Sequence, residues 1–134
     1  LAIMGAKAMV DVLRNPEANA LPQLNEGVTY ARKIDKAEAK LDFSRTAVDV
    51  RNQIHGMSPF PGAWMKVNGT RIKVLQAEII DRTGPVGTFI DDTLIVACSA
   101  GALHLLSLQR EGKDVMDAET FTRGFRIVSG TKVD

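Results

Sequence analysis

The sequence predicts a mainly β domain with flanking helices, a small barrel or sandwich, on three observations. Short apolar runs rich in Val, Ile and Leu recur between residues 65 and 108. Turn chemistry separates them at Asn68-Gly69, Thr83-Gly84-Pro85, Asp91-Asp92 and Ser99-Ala100-Gly101. Apolar spacing of helical period is confined to the segments on either side of this region. The 134 residues suit one domain of ordinary size, and 45% apolar content is too high for a disordered chain. No apolar run approaches the ~20 residues that span a bilayer, so no membrane partner is expected. Cys98 is the only cysteine, which excludes an intramolecular disulfide and fits a reducing, cytoplasmic compartment.

Residues 1–14 carry Leu1, Met4, Ala8 and Val12 at helix spacing, and Asn15-Pro16 stops the run. Residues 15–34 hold prolines, Asn and Gly turn signals and few large apolar groups, the composition of a linker anchored by Tyr30 and Ile34. Asp35 with Glu38 makes a capping pair for a short helical turn. Ser44 is the expected N-cap of the next helix, whose one face carries Ala47, Val50, Ile54 and Met57. Gly56 and Ser58-Pro59 end it. Residues 65–67 and 70–80 flank Asn68-Gly69, the strongest short-range hairpin signal. Residues 86–90, 94–98 and 102–108 are three further expected strands. A last helix is expected to start at the N-cap Asp117 and end at Gly124.

Two runs carry more information than the rest. Residues 27–43 read Gly-Val-Thr-Tyr-Ala-Arg-Lys-Ile-Asp-Lys-Ala-Glu-Ala-Lys-Leu-Asp-Phe, and residues 58–64 read Ser-Pro-Phe-Pro-Gly-Ala-Trp. Ile72-Lys73-Val74-Leu75, Pro85-Val86-Gly87-Thr88, Leu105-Leu106, Leu108-Gln109 and Gly112-Lys113 follow in order. Together they resemble the linker and C-terminal domain of the methionyl-tRNA formyltransferase family. The resemblance implies an open Greek-key barrel, related in shape to the oligonucleotide-binding barrels. It divides the chain into a remnant helix of the catalytic domain (1–14), a linker (15–34) and a tRNA-binding barrel (35–134). It also implies an enzyme that moves a formyl group from 10-formyltetrahydrofolate to the amine of methionyl initiator tRNA. That family's His-x-Ser-Leu-Leu-Pro catalytic motif is absent, and His104-Leu105-Leu106-Ser107-Leu108 has the wrong order. The sequence is therefore expected to be a fragment with no catalytic residue and no cofactor of its own. The catalytic domain would be its partner, together with initiator tRNA.

Net charge is only +1, from 17 basic and 16 acidic residues, so a tRNA surface must come from clustering. Lys66, Arg71 and Lys73 form the best cluster, with no acidic residue from 66 to 76. Arg71 and Lys73 alternate with Ile72 and Val74 and share a strand face. Arg32, Lys33, Lys36 and Lys40 form a second cluster, diluted by Asp35, Glu38 and Asp42. Lys36 and Lys40, four apart, can share one side of a helix. The resemblance adds Arg123, and Arg110 with Lys113 flank a turn. The bland alternative for each cluster is a solvated surface. Trp64 is expected to plug the junction of helix and barrel with its indole N–H satisfied locally. His55 and His104 lack a metal-ligand pattern. Cys98 reads as an inert core thiol. The apolar face of residues 1–14, through Met4, Ala8 and Val12, is a self-association liability. Two other readings stay open: the equivalent domain of a nucleotide-sugar or other small-amine formyltransferase, and a purely structural docking domain.

Overall fold

The computed structural model describes residues 1–16 and 21–134. Residues 17–20, inside the expected linker, lie outside the described residues. The chain divides into two compact units, Leu1–Lys33 and Ile34–Asp134. The first holds α1 (Ala2–Arg14), as its apolar period predicts. Asn15 ends it by donating its N–H to the carbonyls of Asp11 and Val12. None of its residues is buried. Tyr30, expected as an anchor, is 93% exposed. It lies in a stretch without helix or strand, which offers no rigid backbone to press it against a core.

The second unit opens with a 3₁₀ helix (Lys36–Ala39), N-capped by Asp35, whose side chain accepts from the Ala37 N–H. Then follow α2 (Ala47–Met57), β1 (Ala63–Val67), β2 (Thr70–Ile80), β3 (Ile95–Ala97), β4 (Ala102–Arg110), β5 (Val115–Asp117) and α3 (Ala118–Gly124). The five strands make one antiparallel sheet in the order β1-β2-β4-β3, with β5 also paired to β4. A bulge shifts the β2–β4 register around Gln76, which bends β2 and curls the sheet. His55 of α2 stitches that bulge: its Nε2 accepts from the Ala77 N–H at 3.3 Å.

Apolar alternation decides which face turns inward. Ala63, Met65 and Val67 of β1, with Ile72 and Val74 of β2, are fully buried. They meet Ala47, Val50 and Ile54 of α2, together with Phe89, Leu94, Leu105, Leu108, Phe121 and Ile127. Asp117 caps α3 as expected, its carboxylate accepting from the Thr120 N–H. Among the described residues no helix is long and apolar enough to cross a membrane.

Three local expectations change. The N-cap of α2 is Thr46, which accepts from the Asp49 N–H at 3.2 Å while its hydroxyl donates back to the Asp49 carboxylate. Ser44 instead donates its N–H to Asp42 Oδ1, inside a turn that delays the helix by two residues. Residues 86–90 form single bridges, Thr88 to Lys132 and Phe89 to Val96, and not a strand. Gly87, at φ +69°, breaks the extended run. Conversely, β5 is a strand that the sequence did not announce. It exists because the turn at Gly112, φ +69°, folds Val115 back onto Gln109.

Candidate nucleic-acid interface

The β1–β2 hairpin builds the site. Asn68 (φ +50°) and Gly69 (φ +73°) occupy the left-handed region that a two-residue primed turn requires. That turn sets the register Trp64↔Lys73 and Lys66↔Arg71. Paired residues point to the same side, so Trp64, Lys66, Arg71 and Lys73 share the face opposite the buried Met65, Ile72 and Val74. Continuing across the sheet, Lys73 pairs with Gln109. Ion pairs among the described residues include Arg45 with Asp49, Arg82 with Asp91 and Arg123 with Glu119, and His104 Nδ1 lies 3.0 Å from the Glu78 carboxylate. Lys66, Arg71 and Lys73 enter none of them. At the hairpin tip the Asp134 carboxylate accepts from the Gly69 N–H at 2.9 Å.

Arg71 lies over the Trp64 ring, its guanidinium carbon 4.3 Å from the ring centroid. This stack orients the cation and shields one indole face. The indole Nε1 is buried without a partner, against the expectation of a local hydrogen bond. The guanidinium over the ring face supplies no partner, since it only donates.

A groove of about 380 Å³ runs beside this face, lined among others by Lys36, Phe60, Arg71, Lys73 and Glu111. Lys36 reaches it because the segment after the 3₁₀ helix runs along the outer edge of β1. Lys40 bridges Trp64 there, and the Leu41 N–H donates to the Trp64 carbonyl at 2.8 Å. Gln53 of α2 holds this segment, its amide donating to the carbonyls of Glu38 and Lys40. Gly62, at φ +83°, lets the Lys73 stem pass: a Cβ there would stand 3.0 Å from Lys73 Cδ.

The other sequence-derived cations are dispersed. Lys40 is the extended C-cap of the 3₁₀ helix and lines a different depression with Lys132. It does not share one side of a helix with Lys36, since the helix is 3₁₀ and stops at Ala39. Arg110 borders the groove, but its register partner is Ile72, and its guanidinium lies 5.4 Å from the Phe125 ring centroid. Arg123 is exposed on α3 and paired with Glu119. Lys113 sits in the β4–β5 turn, where its carbonyl accepts from Gln109. Lys33 ends the first unit. Cys98 is buried, and desolvation pushes its thiol up to about 11. Phe60 went unremarked at the sequence level, because Pro-Phe-Pro reads there as helix-stopping structure.

A family model described as the formyl transferase C-terminal domain matches residues 33–126. The methionyl-tRNA formyltransferase of Ruegeria pomeroyi is 47% identical over 134 residues, covering 99% of this chain and 44% of that protein. That of Caulobacter vibrioides is 44% identical, covering 98% of this chain and 45% of that protein. The chain thus spans less than half the length of these relatives. Among solved structures, a variant of HypX from Aquifex aeolicus superposes with a TM-score of 0.66 at 16% identity, covering 89% of this chain and 23% of that one. HypX in complex with tetrahydrofolic acid gives 0.63 at 14% identity, covering 87% and 22%. At such identities the likeness is one of fold, and it is to the same curled antiparallel sheet with helices. The matched segment begins before the 3₁₀ helix, runs through every strand and ends just past α3, and on that ground the chain belongs to the formyl transferase C-terminal domain family.

Proposed function

We propose that this chain is the tRNA-binding C-terminal domain of a methionyl-tRNA formyltransferase acting in the cytoplasm at translation initiation. The parent enzyme would formylate methionyl initiator tRNA from 10-formyltetrahydrofolate, with the reaction centre in its other half. One observation carries the reading: Lys66, Arg71 and Lys73 project from a single face of one hairpin, and none is neutralised by an ion pair among the described residues. Such a face attracts a phosphate backbone, releases counterions and fixes register without reading bases. Lys36 extends it along the groove. Lys33, Lys40, Arg110, Lys113 and Arg123 make a second rank. The part of these cations is to hold and orient the polyanion.

The finer classification, an open Greek-key barrel like the oligonucleotide-binding barrels, is supported by the curled sheet and by the bridges that residues 88–89 make with Lys132 and Val96. The exposed Met4 and Val12 of α1 support contact with the catalytic domain or with a second copy.

A gel-shift titration with initiator tRNA at about 50 and 200 mM salt tests the reading. Binding in the range of about 10⁻⁴ to 10⁻⁶ M that weakens steeply with salt is the expected result. Absence of binding at the lower salt would reduce the domain to an inert spacer.

A further inference from the structure

We infer that Phe60 is a stacking platform for an unpaired base of the RNA that the groove holds, a role that rests on the polyanion-binding reading above. Within residues 34–134 every other aromatic side chain is buried or half-buried, whereas Phe60 is 85% exposed. Its backbone is nonetheless confined. Pro59 and Pro61 lock φ on either side. The Gly62 N–H donates to the Met57 carbonyl at 2.9 Å and closes the turn that carries the ring. A ring so presented meets a ligand with little backbone left to order.

Its surroundings decide what that ligand is. Lys36, Arg71 and Lys73 line the same groove, against the single carboxylate of Glu111. An apolar protein partner would find cations around the ring that it cannot neutralise. A single-stranded nucleic acid matches both features at once, since each nucleotide offers a flat π-face beside a phosphate. Phe60 lines this groove together with Arg71 and Lys73 of β2, so a strand can lay its phosphates on Lys73 and Arg71 and turn a base toward Phe60. Stacking is tolerant of base identity, because every base presents a π-face.

Fluorescence anisotropy of two labelled probes tests this: a short oligouridylate and an abasic ribose-phosphate oligomer of equal length. Phe60→Ala should weaken oligouridylate binding about tenfold and leave the abasic oligomer unchanged. Phe60→Tyr should restore binding to the native level. The salt slope of Phe60→Ala should equal that of the native chain, because no phosphate contact is lost. Thermal melting of Phe60→Ala should match the native chain, since the ring is exposed. Equal oligouridylate affinity in the native and Phe60→Ala chains would overturn the stacking role while leaving the cationic face intact. So would an equal loss toward the abasic oligomer. Failure of both oligomers to bind the native chain at low salt would overturn the groove reading itself.

Discussion

Gly62 decides where Lys73 can lie. Its φ of +83° strains any L side chain, and a Cβ would also stand 3.3 Å from the Pro59 carbonyl. Gly62→Ala should therefore destabilise the domain by about 1–2 kcal/mol, read by thermal denaturation, and displace the Lys73 stem. Cys98 makes an opposite kind of statement. With its thiol pushed up to about 11 by burial, it should resist alkylation near neutral pH until denaturant is added. A thiol that reacts at once in the native chain would show that the core around it opens. Asp117 links a cap to pH. Hydrogen bonds from the Thr120 backbone and side chain, with the Arg123 charge, hold its carboxyl below the ordinary aspartate value of 3.8. A depressed folded-state pKa contributes stability that is present above 3.8 and lost as pH falls through the folded value. Asp117→Asn keeps a capping oxygen, so its stability should change less than the native chain's below pH about 4. Acid titration followed by circular dichroism reads the difference.

At the scale of elements, local chemistry was most readable where one or two residues dictate a geometry. Asn68-Gly69 announces the hairpin, Asp117 announces α3, and the Ala47, Val50, Ile54 stripe announces the buried face of α2. The start of α2 was harder, because Ser44 and Thr46 are both good caps. Asp49 resolves the choice, since only Thr46 stands three residues before it and can exchange hydrogen bonds with it. Thr46→Ala should cost about 1 kcal/mol, whereas Ser44→Ala should change stability little; chemical denaturation of both compares them. The apolar composition of residues 86–90 concealed the left-handed Gly87, and β5 needs a pairing partner that no local pattern names. Phe60 escaped because exposure is a tertiary property. In α1, Met4 and Val12 are exposed on one helix face. Association that strengthens with concentration in sedimentation velocity, and is reduced by Met4→Lys with Val12→Lys, is the expected outcome. A monomer over the full concentration range would contradict it.

Over the whole molecule, net charge of +1 says little about a polyanion, while the placement of a few cations says much. The Lys66, Arg71, Lys73 grouping was readable, since strand alternation and one turn are enough to place all three. Lys36 joins them only through the path that residues 36–41 take along β1, held by Gln53. Lys40 leaves the group because the 3₁₀ helix ends early, whereas Arg110, opposite Ile72 in register, borders the groove from the side of β4. The most direct measurement is the salt dependence of initiator tRNA binding by the native chain beside Lys66→Gln/Arg71→Gln/Lys73→Gln. Each phosphate contact contributes roughly 0.7–0.9 to the slope of log affinity against log salt, so the triple variant should lose about two to three units. An unchanged slope would mean that these three side chains touch no phosphate, and that the hairpin face is not where tRNA binds.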